Sequence, residues 1–170
     1  MNLTQYIYKY YRRRYYHPAS IFPDINKVQT VLLLYDSDLQ EKNLHIKQLQ
    51  KELQKKGKTV VAWGFCPKKN ITTSILPMFR IIGSKDINIF QKPKQHILND
   101  LTAQHFDLTI NLSTNHTMPL KYLNLLAHTT FRAAATQEDA DLQIMLTPEQ
   151  DSTYLFDQIM FYLNNIKSND

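Results

Sequence analysis

The sequence predicts a single α/β domain: an open, mostly parallel sheet of about five strands, Rossmann-like or flavodoxin-like, with helices on both faces and an added amino-terminal helix. Three observations carry this. A buried-strand run at 28–35 (VQTVLLLY), an amphipathic stretch at 39–56 and a second apolar run at 59–65 (TVVAWGF) follow one another with a short return. That is the order of a parallel β-α-β unit. Strand-like and helix-like segments then keep alternating to the carboxyl end, which is the α/β pattern. Finally, 170 residues with 43% hydrophobic and 21% charged content can bury one core unaided, and the single cysteine, Cys66, rules out an intramolecular disulfide framework.

Each element has a local reason. Residues 3–14 suit a helix with Leu3, Ile7, Tyr10, Tyr11 and Arg14 on one face. His17-Pro18 ends it, because a residue before proline is pushed out of the α region. Residues 18–26, with a second proline at Pro23, read as a linker, so the chain divides into a helix at 1–17, a linker at 18–26 and an α/β domain at 27–168. Asp36-Ser37-Asp38 supplies the cap of the first crossover helix, in which Leu39, Leu44, Ile46, Leu49 and Leu53 recur at helical spacing. Gly57 stands where a left-handed residue closes that helix.

Residues 66–93 are punctuated by Pro67, Pro77, Gly83 and Pro93 and read as irregular, with short strands near 77–82 and 87–90. A helix follows at 94–105 and a strand at 107–112. Thr117 caps the next helix, Pro119 sits in its first turn where a missing N–H is harmless, and the helix reaches about His128. Short strands at 131–135 and 141–146 precede a last helix capped by Asp151, with Tyr154, Leu155, Ile159, Tyr162, Leu163 and Ile166 as its apolar face.

The segments FDLTINLSTNHTMPLKYLNLLAHTTFRAA, TVVAWGF and YLFDQIMFYLNNIKS resemble a bacterial family known only as a domain of unknown function, over nearly the whole chain. The resemblance implies the fold and no activity. A smaller likeness, in residues 106–112, 120–127 and Phe131-Arg132, is to the acceptor-side half of heptosyltransferase-type glycosyltransferases. There, too, a strand with a leading aspartate is followed by a helix and a short Arg-bearing strand. Here Asn111 stands where an acid is usual, no glycine follows Arg132, and no second domain is present to hold a sugar nucleotide.

The net charge of +5 is concentrated at the amino end. Residues 1–17 hold Lys9, Arg12, Arg13 and Arg14 without an acid, so 16 of the 20 basic residues face all 15 acids in the rest of the chain. The same segment carries six of the ten tyrosines, Tyr11 and Tyr15 among them. Cations interleaved with aromatics suit either RNA or an anionic membrane surface. The plainer alternative is a helix that packs its tyrosines on the domain and leaves its arginines in water. No secretory pattern is present and the longest unbroken apolar run, 31–35, is five residues, so the expected address is the cytoplasm, peripherally at the inner membrane face.

Within the domain, the turn after the first strand, Tyr35-Asp36-Ser37-Asp38, lacks the glycines of a phosphate cradle, and only Gly57, Gly64 and Gly83 exist in the chain. No nucleotide cofactor is expected. Paired Asp36 and Asp38 are the kind of carboxylates that hold Mg²⁺ in phosphorylation receivers, but the central strand ends Asn111-Leu112-Ser113 without a phosphoacceptor. The histidines show no zinc spacing, so no metal is expected either. The loop Ser113-Thr114-Asn115-His116-Thr117 lies at the carboxyl edge of the sheet, where open α/β folds bind ligands. Ser113, Thr114 and Thr117 offer hydroxyls to an anion, and His116 a base if Asp36 or Asp38 orients it. The same residue types are also ordinary turn and cap formers. The reading favoured is a non-enzymatic domain docked by its basic helix; the alternative is a small-molecule or anion site, conceivably catalytic, at that loop.

Overall fold

Five apolar residues in a row, 31–35, cannot alternate between a buried and a wet face, so β1 (Thr30–Asp36) sits mid-sheet with helices on both sides. The computed structural model describes residues 2–38, 40–68, 75–76, 78–135 and 139–166. Among these, β1 is joined by β2 (Thr59–Cys66), β3 (Ile75–Leu76), β4 (Phe79–Gly83), β5 (His105–Asn111), β6 (His128–Ala135) and β7 (Leu142–Ile144) in the order β3-β4-β2-β1-β5-β6-β7. Every pairing is parallel except β3 with β4. The six parallel strands, numbered along the chain, stand 3-2-1-4-5-6, which is the Rossmann order and not the flavodoxin one. The parallel strands number six where about five were expected, and β4 is the strand expected near 77–82.

The helices are α1 (Leu3–Tyr15), α2 (Glu41–Lys55), α3 (Gln95–Thr102), α4 (Met118–Leu126) and α5 (Ser152–Asn165). One sheet face, with Val31, Leu33 and Tyr35 of β1, packs on Ile46, Leu49 and Leu53 of α2 and on Leu155, Ile159 and Leu163 of α5. The other, with Leu32 and Leu34, packs on Ile97 and Leu101 of α3 and Leu120 and Leu123 of α4. Helix α1 touches no strand core; it lies outside α4 as a further layer, through Tyr8 on Tyr122 and Leu125.

Local signals place several ends as the sequence requires. Gly57 follows α2 at φ +80, and Asp151 accepts hydrogen bonds from the N–H groups of Thr153 and Tyr154 at the start of α5. Other expectations change. Leu44 is 63% exposed instead of facing the core, and the buried position opposite belongs to Gln50, whose amide donates to Val60 O and Met78 O. Leu39 lies outside the described residues, as do 69–74, where part of the irregular stretch was placed. Residues 87–90 make only a bridge, Ile87 to Pro93, in place of a strand. The stretch 18–26, expected as a linker, is packed: Ala19 and Phe22 lie on the core and Ile25 is buried. Lys58 pins its end, donating from Nζ to Ile25 O at 2.6 Å and Val28 O at 2.7 Å, with burial holding the ammonium below the ordinary lysine value.

The central pair β1–β5 is tied at its amino end by Asp107, which accepts from Gln29 N (2.8 Å), Thr30 N (2.9 Å) and Thr30 Oγ1 (3.1 Å). Burial alone would raise this carboxyl, but the donors of Thr30 and Gln29 outweigh it and hold it below its ordinary value. A group depressed in the folded state stabilises above its unfolded pKa and ceases to do so as pH falls through the folded one. We therefore expect Asp107→Asn to cost about 1.5–3 kcal/mol in denaturant unfolding at neutral pH, and the gap to the wild type to close below roughly pH 4. A gap independent of pH would contradict this.

Gly64 pairs with Tyr35 across β1–β2, and a Cβ there would stand 2.6 Å from the Tyr35 ring. The ring fills the space the missing side chain leaves. Gly64→Ala is expected to lower stability by about 1–3 kcal/mol, and Tyr35→Leu in the same chain to recover part of it; thermal unfolding of the single and double variants measures both.

Candidate functional site

Two places collect the residues singled out by sequence, and the structure treats them differently. At the carboxyl edge, Leu34 pairs with Asn111 and Leu112 N donates to Leu34 O, so the ends of β1 and β5 arrive side by side at the switch point of the sheet. There Asp36 accepts from Ser113 Oγ at 2.8 Å, Thr117 Oγ1 at 3.2 Å and Asn115 N at 3.4 Å. Asn111 Oδ1 accepts from Ser113 N at 3.0 Å and fixes the turn. The structure thus brings Asp36, Ser113 and Thr117 together as the sequence suggested, but as donors and acceptor to one another.

Asp36 was expected to help cap α2; it does not, because its carboxylate faces the β5–α4 loop. Asp38 serves α2, accepting from Gln40 N and Lys42 N, and Ser37 Oγ donates to Asn43 Oδ1 in the helix's first turn. Thr117 occupies the cap position of α4 without a side-chain cap bond, its hydroxyl being taken by Asp36. His116 sits exposed at φ +50, and among the described residues no hydrogen bond joins its ring to Asp36 or Asp38. Burial first and Lys121 second push its imidazole below the ordinary value, against the pull of Asp36. Thr114 borders a crevice with Tyr35, Asp36 and Lys42 of only about 10 Å³. That is room for about one water. Chemically, the edge presents a carboxylate with its donors already engaged.

The second place is α1. Asn2 and Gln5 form a capping box at its start, each side chain accepting the other's backbone N–H. Tyr8 is buried edge-on against Tyr122 at 5.1 Å and donates its hydroxyl to Asp139 at 2.6 Å. Tyr11 meets Tyr122 at 5.8 Å and receives Lys92, whose Nζ lies 4.2 Å over the ring and donates to the hydroxyl at 2.9 Å. Tyr16 donates to Asp141 at 3.1 Å. Beneath lies a polar layer: Asn124 Nδ2 donates to Asp139 O, and Arg132 donates from Nε to Asn124 O and from Nη2 to Ala127 O. Sequence reasoning missed Asp139, Asp141 and Asn124, since nothing local marks an acid that meets a tyrosine 131 residues away.

The inward face of α1 is also not the expected one. Tyr8 and Tyr11 turn in, whereas Leu3 and Tyr10 stay 63% and 58% exposed, because the surface under the helix rewards a phenol hydroxyl and not simply apolar area. Lys9, Arg13 and Arg14 are exposed with them, as is Tyr6. Arg12 differs from its neighbours: it is half-buried with its guanidinium 5.6 Å from the Tyr16 ring. Tyr15 stacks on Tyr11, rings 5.8 Å apart, with Arg14 over its other side.

Among the described residues no group of three or more His, Cys, Asp and Glu side chains converges as a metal site would, and no helix is long and apolar enough to cross a membrane. Cys66 is buried at the end of β2. Residues 3–166 match a family of unknown function, DUF6913. The chain belongs to that family. No curated protein and no solved structure matches it. The DUF6913 match runs from the first residue of α1 to the residue that closes α5, so α1 is part of the family's domain and not an appendage to it. In this DUF6913 chain Arg132 of β6 is turned onto the carbonyls that end α4.

Burial, then Asp139, pushes the Tyr8 phenol far above its ordinary value; burial and Asp141 push Tyr16 to about 12, and burial pushes Tyr122 to about 12. Groups raised on folding stabilise fully below their unfolded pKa of about 10 and cease to do so as pH rises through the folded values. Thermal stability is expected to fall above about pH 10, with Tyr8 and Tyr122 phenolate absorbance emerging only as the chain unfolds. Tyr8→Phe keeps the ring but leaves the Asp139 carboxylate with the longer bond from Asn124 Nδ2, at 3.3 Å, and is expected to cost about 1–3 kcal/mol at neutral pH.

Proposed function

We propose that this chain is a non-enzymatic, cytoplasmic α/β domain that docks peripherally on an anionic membrane surface through the outer face of α1. The observation that carries the reading is that one rigid helix, its inner face locked on α4 by Tyr8 and Tyr11, presents Leu3, Tyr6 and Tyr10 outward together with Lys9, Arg13 and Arg14. The helix carries no acid. Tyrosine rings suit the headgroup level, a leucine reaches the acyl boundary, and basic stems lie along both with their charges in water. Each cation near an anionic leaflet adds about 1 kcal/mol, so three give weak, reversible attachment that salt screens. A single convex helix face offers no groove to track a nucleic-acid backbone, which favours lipid over RNA.

The test is sedimentation of the full chain with phosphatidylcholine vesicles, with and without phosphatidylserine. Retention is expected only on the anionic vesicles, reversed by about 0.5 M salt. Lys9→Gln with Arg13→Gln is expected to reduce retention sharply and to leave the melting temperature nearly unchanged, since both side chains are exposed and glutamine is a comparable helix former. Arg12 is the wrong probe, because it packs on Tyr16. Retention of an RNA oligonucleotide in place of vesicles would overturn the membrane reading.

A further inference from the structure

Beside the second of these places, a cleft of about 390 Å³ opens between the last turn of α1, α3 and the turn from α4 into β6. This lies within the roughly 300–1,000 Å³ usual for small-molecule sites. It sits beside His128 at the start of β6, the amino edge of the sheet, whereas open α/β folds bind ligands at the carboxyl edge. The position follows from α1: the helix laid outside α4 supplies a wall that the sheet and its crossover helices alone would lack.

We infer that this cleft binds a small aromatic anion, a flat ring bearing a carboxylate or phosphate. One wall is the stacked pair Tyr11 and Tyr15, their rings 15° from parallel; apolar lining comes from Leu98, Leu125 and Leu126. A planar ring is the shape that fits between such walls. Among the described residues the formal charge on the lining is of one sign, from Lys92 and Arg132, with no Asp or Glu. Lys92 is the recognising group. Its ammonium is held in place by the Tyr11 hydroxyl and ring, and two of its three protons remain for a ligand.

Arg132 acts differently. Its Nε and Nη2 are engaged with Asn124 O and Ala127 O, so it covers the carbonyls that end α4, which would otherwise repel an anion at the floor of the cleft. Asp139 and Asp141 lie close enough to offset part of its charge, and both are outside the lining. Gln95, exposed at the first turn of α3, lines the rim and gives a place to reverse the charge without disturbing the core.

Calorimetric titration of the full chain with naphthyl phosphate, naphthoate, neutral naphthol and inorganic phosphate tests this. At least one aromatic anion is expected to bind about tenfold or more tightly than naphthol and inorganic phosphate, and the tighter of the two names the acid group. Lys92→Met and Gln95→Glu are each expected to weaken that anion about tenfold. Gln95→Glu gives up an exposed bond to Asn99 Oδ1 but places an acid at a helix start, so its melting temperature should change little. Naphthol binding as tightly as the anions, inorganic phosphate binding as tightly as naphthyl phosphate, or unchanged affinity in Gln95→Glu would each overturn the assignment.

Discussion

The seam between β1 and β5 is the constraint on which the molecule depends. The chain builds outward from it in both directions, to β2 and β4 on one side and to β6 and β7 on the other. This pair is the seam at which the two halves of the sheet are hydrogen-bonded into one register. An aspartate clamps it at each end: Asp107 takes three donors from Gln29 and Thr30 at the amino end, and Asp36 takes Ser113, Thr117 and Asn115 at the carboxyl end. A carboxylate serves this purpose better than an amide because it accepts several hydrogen bonds at once and each is strengthened by its charge. The consequence for function is direct. The crevice where a Rossmann sheet ordinarily takes a phosphate is here crossed by an internal carboxylate cluster.

What the sequence made legible was local. Gly57, Asp151 and Pro119 act within a turn of their own position, and the 3.6 and 2.0 periodicities act within one element, so those features read correctly. What it hid was long-range. Asp36 meets Ser113 across 77 positions and Tyr8 meets Asp139 across 131, and no pattern in either segment names the other. The candidate loop was found because turn residues after a strand point to the carboxyl edge; its bonds to Asp36 were not legible, because a hydroxyl that can serve a ligand can equally serve an aspartate. Helix α1 shows the same limit. With tyrosines around most of its circumference, hydrophobicity cannot choose a face, and the choice fell to the buried Asp139 and the half-buried Asp141, which only the fold brings near. The cleft was the least legible feature, since its lining is drawn from the α1 end, α3 and the β6 start.

Helix α1 separates two duties that composition alone merges. Its inward phenols belong to the domain: Tyr8 and Tyr11 pack on Tyr122, and Tyr16, just past its end, reaches Asp141. Its outward cations do not, because Lys9, Arg13 and Arg14 are exposed and contribute little to the fold. Arg12 lies on the boundary and shares in the packing through Tyr16. The excess charge of the chain is therefore mounted on a scaffold, and its direction in space is fixed relative to the sheet.

That fixed direction changes the energetics of attachment. A disordered basic tail must order itself as it binds, and the lost backbone freedom of roughly 1–2 kcal/mol per residue offsets most of what its cations gain. A helix already capped by Asn2 and seated on α4 has met that cost in folding, so the gain from three cations and an exposed Leu3–Tyr6–Tyr10 stripe is available nearly undiminished. The same seating limits what α1 can do. It cannot wrap around a partner or follow a curved strand without withdrawing Tyr8 from Asp139. The broad, flat anionic surface proposed for it asks for no such adjustment, and the hold of such a surface would be set by the density of its charge and by the salt around it.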